Sequence, residues 1–312
     1  MSETSTIPKG FGLLRCPVSG EALSLQGSGE SGRLVARGSG RRYPIEDGIP
    51  TFVDDTVEAQ TRRRFEYQWR RWGREERIFG KTPEEMRANL VSDRIGSSID
   101  ASFYPGKTVL DAGAGHGRYL RELAALGAKT IVGLDLGRGI GFDREGDPPS
   151  VLRVRGDLRH PPLAPQSFDL VFCDGVVHHT PDARQAVSAL ARLVRPGGYL
   201  YLWVYPRGSV LWESVHRAGR AVTTRLPNPV LGGLCTALVP LLSVVPTYSQ
   251  TRLGRASWQQ CAQVVWDWLS PPYQSHHSFE EVQGWLEAEG FEGCERLPVP
   301  TGIIARRPRG EM

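Results

Sequence analysis

The chain is poor in the residues that mark several protein classes. Its five cysteines (Cys16, Cys173, Cys235, Cys261, Cys294) are scattered and odd in number. That excludes a disulfide framework and suits a reducing compartment. The N-terminal MSETSTIPKG lacks the apolar run of a secretory signal, so a cytoplasmic location is expected. Residues 229–246 are uncharged but fall short of the ~20 residues a membrane span needs, and Pro240 interrupts them. Lysine is scarce: only Lys9, Lys81, Lys107 and Lys129 stand among 38 basic residues. The arginine excess reads as compositional bias, and a formal charge of +4 over 312 residues does not imply a nucleic-acid partner. Glycine and proline follow no short period, which excludes collagen-like structure. A 40% hydrophobic, 23% charged composition excludes wholesale disorder.

Five segments can be read along the chain. Residues 1–55 form a small β module, with short strands at 13–16, 23–25 and 33–36. In it, Glu46-Asp47-Gly48 turns between two extended pieces. Residues 56–105 are helical and highly charged. From 106 to 206, apolar strand-like runs alternate with helical stretches, which predicts an α/β fold with a doubly wound, mostly parallel sheet. Residues 207–275 read as a helical insertion broken by prolines. Residues 276–312 begin with a helix whose Ser278 and Glu281 have capping-box spacing and whose stop is Gly290. Two extended stretches, 294–299 and 302–306, would then pair as a hairpin at the sheet edge.

VLDAGAGHGRYL carries the most chemistry. A buried strand ends at Asp111 and Ala112, and Gly113, Ala114, Gly115 and Gly117 turn the backbone sharply where a ligand could approach it. About 20 residues on, a second strand ends in Asp135, whose acceptor-only carboxylate suits the two hydroxyls of a ribose and repels a 2′-phosphate. A third ends in Gly156-Asp157-Leu158, where a carboxylate could accept from an adenine amino group. FDLVFCDGVVHH and RPGGYLYLWV supply a fourth strand and a turn into a fifth.

In order and spacing these motifs resemble a class I S-adenosylmethionine-dependent methyltransferase core of the "type 11" small-molecule group. They are Asp111 to Gly117, Asp135, residues 156–158, residues 168–179 and residues 195–198. The resemblance implies a Rossmann-like sheet of order 3-2-1-4-5-7-6 and S-adenosyl-L-methionine as cofactor. It implies that Gly113, Ala114, Gly115 and Gly117 wrap the methionine part and Asp111 helps hold its ammonium. Asp135 and Leu136 would meet the ribose, Asp157 and Leu158 the adenine, and Asp174 and Gly175 the floor near the sulfonium. Carboxylates around a cationic amino acid fit this cofactor better than a pyrophosphate. The CDGV after strand 4, in place of NPPY, counts against amide and adenine N-methylation.

The acceptor side is less legible. His178 and His179 follow strand 4, where a neutral imidazole could take a proton from a hydroxyl; they could equally pack or cap a helix. Residues 65–77 read either as a basic, aromatic nucleic-acid strip or as an amphipathic helix with Phe65, Trp69 and Trp72 on one face and solvated arginines. The helix is preferred. The resemblance makes this region a lid, with Tyr67, Gln68 and Trp69 facing the acceptor together with Tyr205, Tyr273 and His277. The apolar 229–246 segment is expected to pack as lid helix over a bulky or hydrophobic acceptor, with peripheral membrane contact the less favoured alternative.

The N-terminal module resembles the zinc-ribbon-like domain of the activator subunit of tRNA and protein methyltransferases, through Cys16-Pro17 and residues 43–52. Tetrahedral zinc needs two C-x-x-C pairs, and Ser19, Ala36 and Ser39 stand at the other three positions, so no metal is expected. The leading expectation is methyl transfer to a small, hydrophobic or secondary-metabolite-like acceptor at O, N or C. RNA methylation and cofactor binding without turnover are the alternatives, and the oligomeric state stays open.

Overall fold

The computed structural model describes residues 10–73, 81–92, 94–243 and 257–310. Seven strands form the main sheet: β5 (Thr108–Ala112), β6 (Thr130–Asp135), β7 (Val151–Arg155), β8 (Phe168–Asp174), β9 (Val194–Trp203), β10 (Glu292–Arg296) and β11 (Gly302–Arg306). The order β7-β6-β5-β8-β9-β11-β10 is 3-2-1-4-5-7-6 in core numbering, as the resemblance implied. β5 to β9 are parallel, and the terminal hairpin adds antiparallel to β9. Val109, Leu110, Ile131, Val132, Leu170 and Val171 are fully buried, the two-faced burial that makes parallel strands read as unbroken apolar runs. The sheet reverses direction at β5, flanked by β6 and β8, and connections leaving to opposite faces there open a crevice at the strand ends. Pro196-Gly197-Gly198 lies within β9 as a register shift against β8 rather than before the strand.

The N-terminal module is a four-stranded antiparallel sheet of β1 (Leu23–Gln26), β2 (Arg33–Ala36), β3 (Arg42–Glu46) and β4 (Ile49–Pro50). Asp47 (φ 50°) and Gly48 (φ 74°) make the β3–β4 hairpin with both turn residues left-handed, the twist a two-residue loop requires. Thr51 then pairs in parallel with Arg155, so the module covers the β7 edge. Residues 13–16 are not a strand: Phe11–Leu13 is a short 3-10 helix, and Leu14 and Arg15 make single bridges to Leu163 and Ala22.

Two matched turns, residues 16–20 and 36–40, are closed by the Gly20 and Gly40 amides donating to the Cys16 and Ala36 carbonyls at 2.8 and 3.0 Å. Glu21 links them, its carboxylate accepting from the Gly38 and Ser39 amides at 2.9 and 3.0 Å. Cys16 lies 3.0 Å from the Tyr43 hydroxyl. Burial alone would push this thiol up, but the hydrogen bonds from Ser19 and Tyr43 outweigh it and hold it below its ordinary value. Among the described residues no group of three or more His, Cys, Asp or Glu is placed to hold a metal.

Between the module and the core runs α1 (Ala59–Trp72), followed by α2 (Pro83–Asn89). Residues 74–77 of the basic strip lie outside the described residues. The strip's described arginines, Arg70 and Arg71, are exposed, whereas two arginines of α1 just before it are not. Arg62 is buried and bonds Asp55 at 2.9 Å and Glu66 at 3.3 Å. Arg64 is buried too, and donates to the Thr224 and Leu226 carbonyls (both 2.8 Å) and to Asn228 Oδ1 (2.5 Å). These are the open carbonyls at the end of α5 (Val210–Thr223), so Arg64 acts as a C-terminal cap delivered from another helix. Trp72 does not share a face with Phe65; it is buried with Tyr67 and Trp266 against α6 (Asn228–Ser243) and α7 (Trp258–Leu269).

Within 207–275 the described residues form α5, α6 and α7, with Pro240 inside α6, and residues 244–256, the end of the apolar segment among them, lie outside the described residues. Val230 and Leu241 on α6 and Val210, Leu211 and Val222 on α5 are exposed. Among the described residues no helix is long and apolar enough to cross a membrane. α8 (Phe279–Ala288) starts at Ser278, whose hydroxyl accepts the Glu281 amide, but Glu281 does not complete the capping box. Its carboxylate goes instead to Arg207 and His277, stronger partners than a backbone amide.

Candidate functional site

A cleft of about 980 Å³ opens at the C-terminal ends of the parallel strands. After β5 the chain turns through Gly113 (φ 84°), Gly115 (φ 63°) and Gly117 (φ 94°). Space as well as conformation demands glycine here. A Cβ on Gly113 would lie 2.4 Å from Val176, and one on Gly115 2.7 Å from the Trp69 ring. The loop is thus stacked between the β8 turn and α1. Because Gly117 is left-handed, the following helix α3 (Leu120–Ala125) starts late.

Asp135, at the tip of β6, stitches two loops together. Its two oxygens accept the Gly115 and Gly137 amides, each at 2.8 Å. Burial pushes this carboxyl up to about 6 against the pull of those amides. Asp157, after β7, is forked by Arg159 at 2.7–3.2 Å, and Leu158 beside it is buried. Asp174, at the tip of β8, is buried among Arg94, Arg118, Tyr119 and Tyr201. Burial alone would raise it, but the two guanidiniums outweigh that and hold it below the usual carboxylate value.

Gly113, Ala114, Gly115, Asp135, Leu136, Asp157, Leu158, Asp174 and Gly175 all line the cleft. Asp111, Ala112 and Gly117 lie behind it. Asp111 is buried with Oδ2 lacking a partner, and burial pushes it up to about 7. A Cβ on Gly117 would strike Arg153 at 2.7 Å. Arg153 donates to the His116 and Ile140 carbonyls from beneath the glycine loop, a brace the sequence did not reveal because it sits mid-strand in an apolar run.

The other half of the cleft is built by α1 and α7. Residues 58, 61, 62, 65, 68 and 69 line it, one helical face at i, i+3, i+4 spacing. Gln68 and Trp69 are therefore in the wall, whereas Tyr67 points the other way and stacks on Trp266 at 4.7 Å. Tyr205 lines the cleft with Trp268 stacked on it at 5.0 Å, and its hydroxyl donates to Asp267.

The two histidines part company. His178 is fully buried, ring against ring with Tyr205 at 3.9 Å, and neither nitrogen has a partner. It does not line the cleft, which fits the packing reading. His179 does line it. Its Nδ1 faces the Tyr273 carbonyl at 3.3 Å, its Nε2 is buried without a hydrogen bond, and Asp267 Oδ2 lies 4.0 Å away. Tyr273 thus contributes its backbone, and its half-exposed ring is not in the wall; its hydroxyl turns to Glu58. His277 is held by Glu281 and Ser275 at 3.1 and 2.8 Å, away from the cleft. Asp267, Phe65, Arg94 and Arg159 also line the cleft. Asp267 had one sequence signal, being the only charged residue of α7 among tryptophans and aliphatics.

Known proteins resemble this chain over the same region. Residues 110–202 match the family described as "Methyltransferase domain". A ubiquinone biosynthesis O-methyltransferase of Klebsiella pneumoniae is 31% identical over 140 residues, covering 41% of this chain and 52% of that protein. A biotin biosynthesis bifunctional protein of Cellvibrio japonicus is 32% identical over 113 residues, covering 34% of this chain and 22% of its own length. The chain thus spans about half the length of the first curated relatives it matches. A chain in a solved complex of the Haloferax volcanii Trm112 methyltransferase activator with a methyltransferase superposes with a TM-score of 0.48 at 17% identity, covering 81% of this chain and 99% of that one. The strand order, the glycine loop, the acidic strand tips and the family match converge: residues 110–202 are a class I S-adenosylmethionine-dependent methyltransferase domain.

Proposed function

We propose that the chain transfers a methyl group from S-adenosylmethionine to a small, largely apolar acceptor. One observation carries this reading: a single cleft runs from the glycine loop and the acidic strand tips to an aromatic pocket closed by α1 and α7. Bound there, S-adenosylmethionine supplies an electrophilic methyl on a positively charged sulfur. The residues fit it. Gly113 and Gly115 leave backbone where a side chain could not stand. Each Asp135 oxygen has taken one amide and keeps a lone pair for a ribose hydroxyl. Asp174 beside Arg94 and Arg118 offers both charges to a zwitterionic amino acid group. Asp157 and Leu158 would meet the adenine. The Phe65, Trp69 and Trp268 rings exclude water, so orientation and a dry site do most of the catalysis. The relatives' printed role in ubiquinone biosynthesis supports a small acceptor. No observation favours RNA, and two of the arginines of α1, Arg62 and Arg64, are engaged within the fold.

Calorimetry with S-adenosylhomocysteine tests the cofactor half. Asp135→Ala is expected to weaken binding by about tenfold or more, the loss of hydrogen bonds to a charged group, and Gly113→Arg to abolish it. Unchanged affinity in both variants overturns the reading.

A further inference from the structure

The aromatic end of the cleft has an excess of hydrogen-bond acceptors. If Nδ1 of His179 carries the proton that the Tyr273 carbonyl accepts, Nε2 holds a bare lone pair. Nε2 is buried without a partner, and so is Oε1 of Gln68. Asp267 is better served, accepting the Tyr205 hydroxyl on Oδ2 and the Gln68 amide on Oδ1 at 3.4 Å. Two neutral acceptors are therefore left wanting a donor, at a cost of roughly 1–3 kcal/mol each while none comes. A carboxylate or phosphate would bring only more acceptors. An ammonium would want the carboxylate, which already has its donors. A neutral hydroxyl supplies what is missing, and the aromatic wall beside it, with Phe65 packed edge to face on His179 and Tyr205 stacked on Trp268, suits a flat, apolar molecule.

We propose that this pocket takes the hydroxyl of a planar, apolar acceptor, with His179 as its base and Asp267 as the positioning residue that stabilises His179 once protonated. This rests on the methyl-transfer reading above. The hydroxyl's O–H bond breaks and its proton goes to Nε2. The oxygen gains the methyl carbon, and the methyl–sulfur bond breaks with its electron pair left on sulfur as a neutral thioether. The positive charge so passes from sulfur to an imidazolium 4.0 Å from the Asp267 carboxylate. The charged and titratable groups facing His179 are Asp267 from α7, Arg220 from α5, His276 beyond α7, Tyr205 after β9 and His178 on its own turn. Burial holds His179 below its ordinary value, so it is neutral and able to accept at pH 7; Asp267 opposes that shift, and Arg220 and His276 add to it.

4-Nitrophenol, whose phenolate absorbs at longer wavelength than the phenol, is the probe, titrated against pH with S-adenosylhomocysteine present. On wild type it is expected to bind and to ionise at lower pH than in free solution. Asp267→Asn should raise the ionisation midpoint of the bound probe by about one unit, the loss of a carboxylate near a new positive charge. His179→Gln should abolish the shift, and Gln68→Leu should weaken binding by roughly tenfold, one hydrogen bond. A midpoint unmoved by both Asp267→Asn and His179→Gln overturns the proposal, as does binding of phenethylamine in place of the phenol. S-adenosylhomocysteine affinity, measured on every sample, separates the readings: its absence in wild type sinks the methyl-transfer reading itself. Should Asp267→Asn alone lose it, His179→Gln and Gln68→Leu decide the proposal.

Discussion

The two ends of the cleft are built on different principles. At the end beside the glycine loop the acidic strand tips already have donors from the protein itself: Asp135 holds two backbone amides, Asp157 an arginine fork, and Asp174 two guanidiniums. At the aromatic end, His179 Nε2 and Gln68 Oε1 are left bare. On the reading proposed above, the first end is preorganised around charges that every cofactor molecule repeats. The second stays incomplete until a particular acceptor arrives. The ends also differ in what holds them: strand tips on one side, helices delivered from distant sequence on the other.

The largest way to break this comparison is through Arg64, which ties α1 to the end of α5. Arg64→Ala removes a buried guanidinium and the donor it gives the Leu226 carbonyl and Asn228 Oδ1, and should cost roughly 2–4 kcal/mol in denaturant unfolding. Acceptor KM should rise while S-adenosylhomocysteine affinity changes little. An equal loss at both ends would show that they are not separately supported.

A smaller effect sharpens the cofactor end. Burial raises the Asp111 carboxyl from 3.8 to about 7, so between those values the folded chain holds a proton the unfolded chain has released. The contribution of this group to stability is thus fully present below about pH 4 and is lost as the pH rises through about 7. Asp111→Asn should therefore stabilise the protein by roughly 1–3 kcal/mol at pH 8 and leave it nearly unchanged at pH 4, read by thermal melts. Stabilisation at pH 4 rather than pH 8 would contradict the buried, partnerless carboxyl.

The smallest effect concerns neither end. We propose that Glu21 does for the two N-terminal turns what a metal would do in a zinc ribbon. Glu21→Ala should lower the melting temperature slightly, and chelator should leave that of the wild type unchanged. Stoichiometric zinc in the purified protein would refute this.

The cofactor end was legible because its chemistry is local. The glycine loop is four glycines and alanines in a row, and each acidic residue directly ends an apolar strand. The family resemblance pointed to Gln68 and Trp69, which line the wall, and to Tyr67, their neighbour by sequence, which turns away by the 100° step of the helix. Arg153 was hidden because a charge inside an apolar strand carries no mark of what it braces. Asp267 was hidden because its partners, Gln68, His179 and Tyr205, come from three other segments.

By itself, then, the sequence determined the glycine loop and the acidic tips, because both are written in neighbouring residues, while the strand order followed from the family resemblance those motifs carry. Only the tertiary structure decided which histidine reaches the cleft, which arginines are buried and which acceptors go unpaired. Those depend on where α1 and α7 lie across the sheet, and that is fixed by packing among residues far apart in the chain.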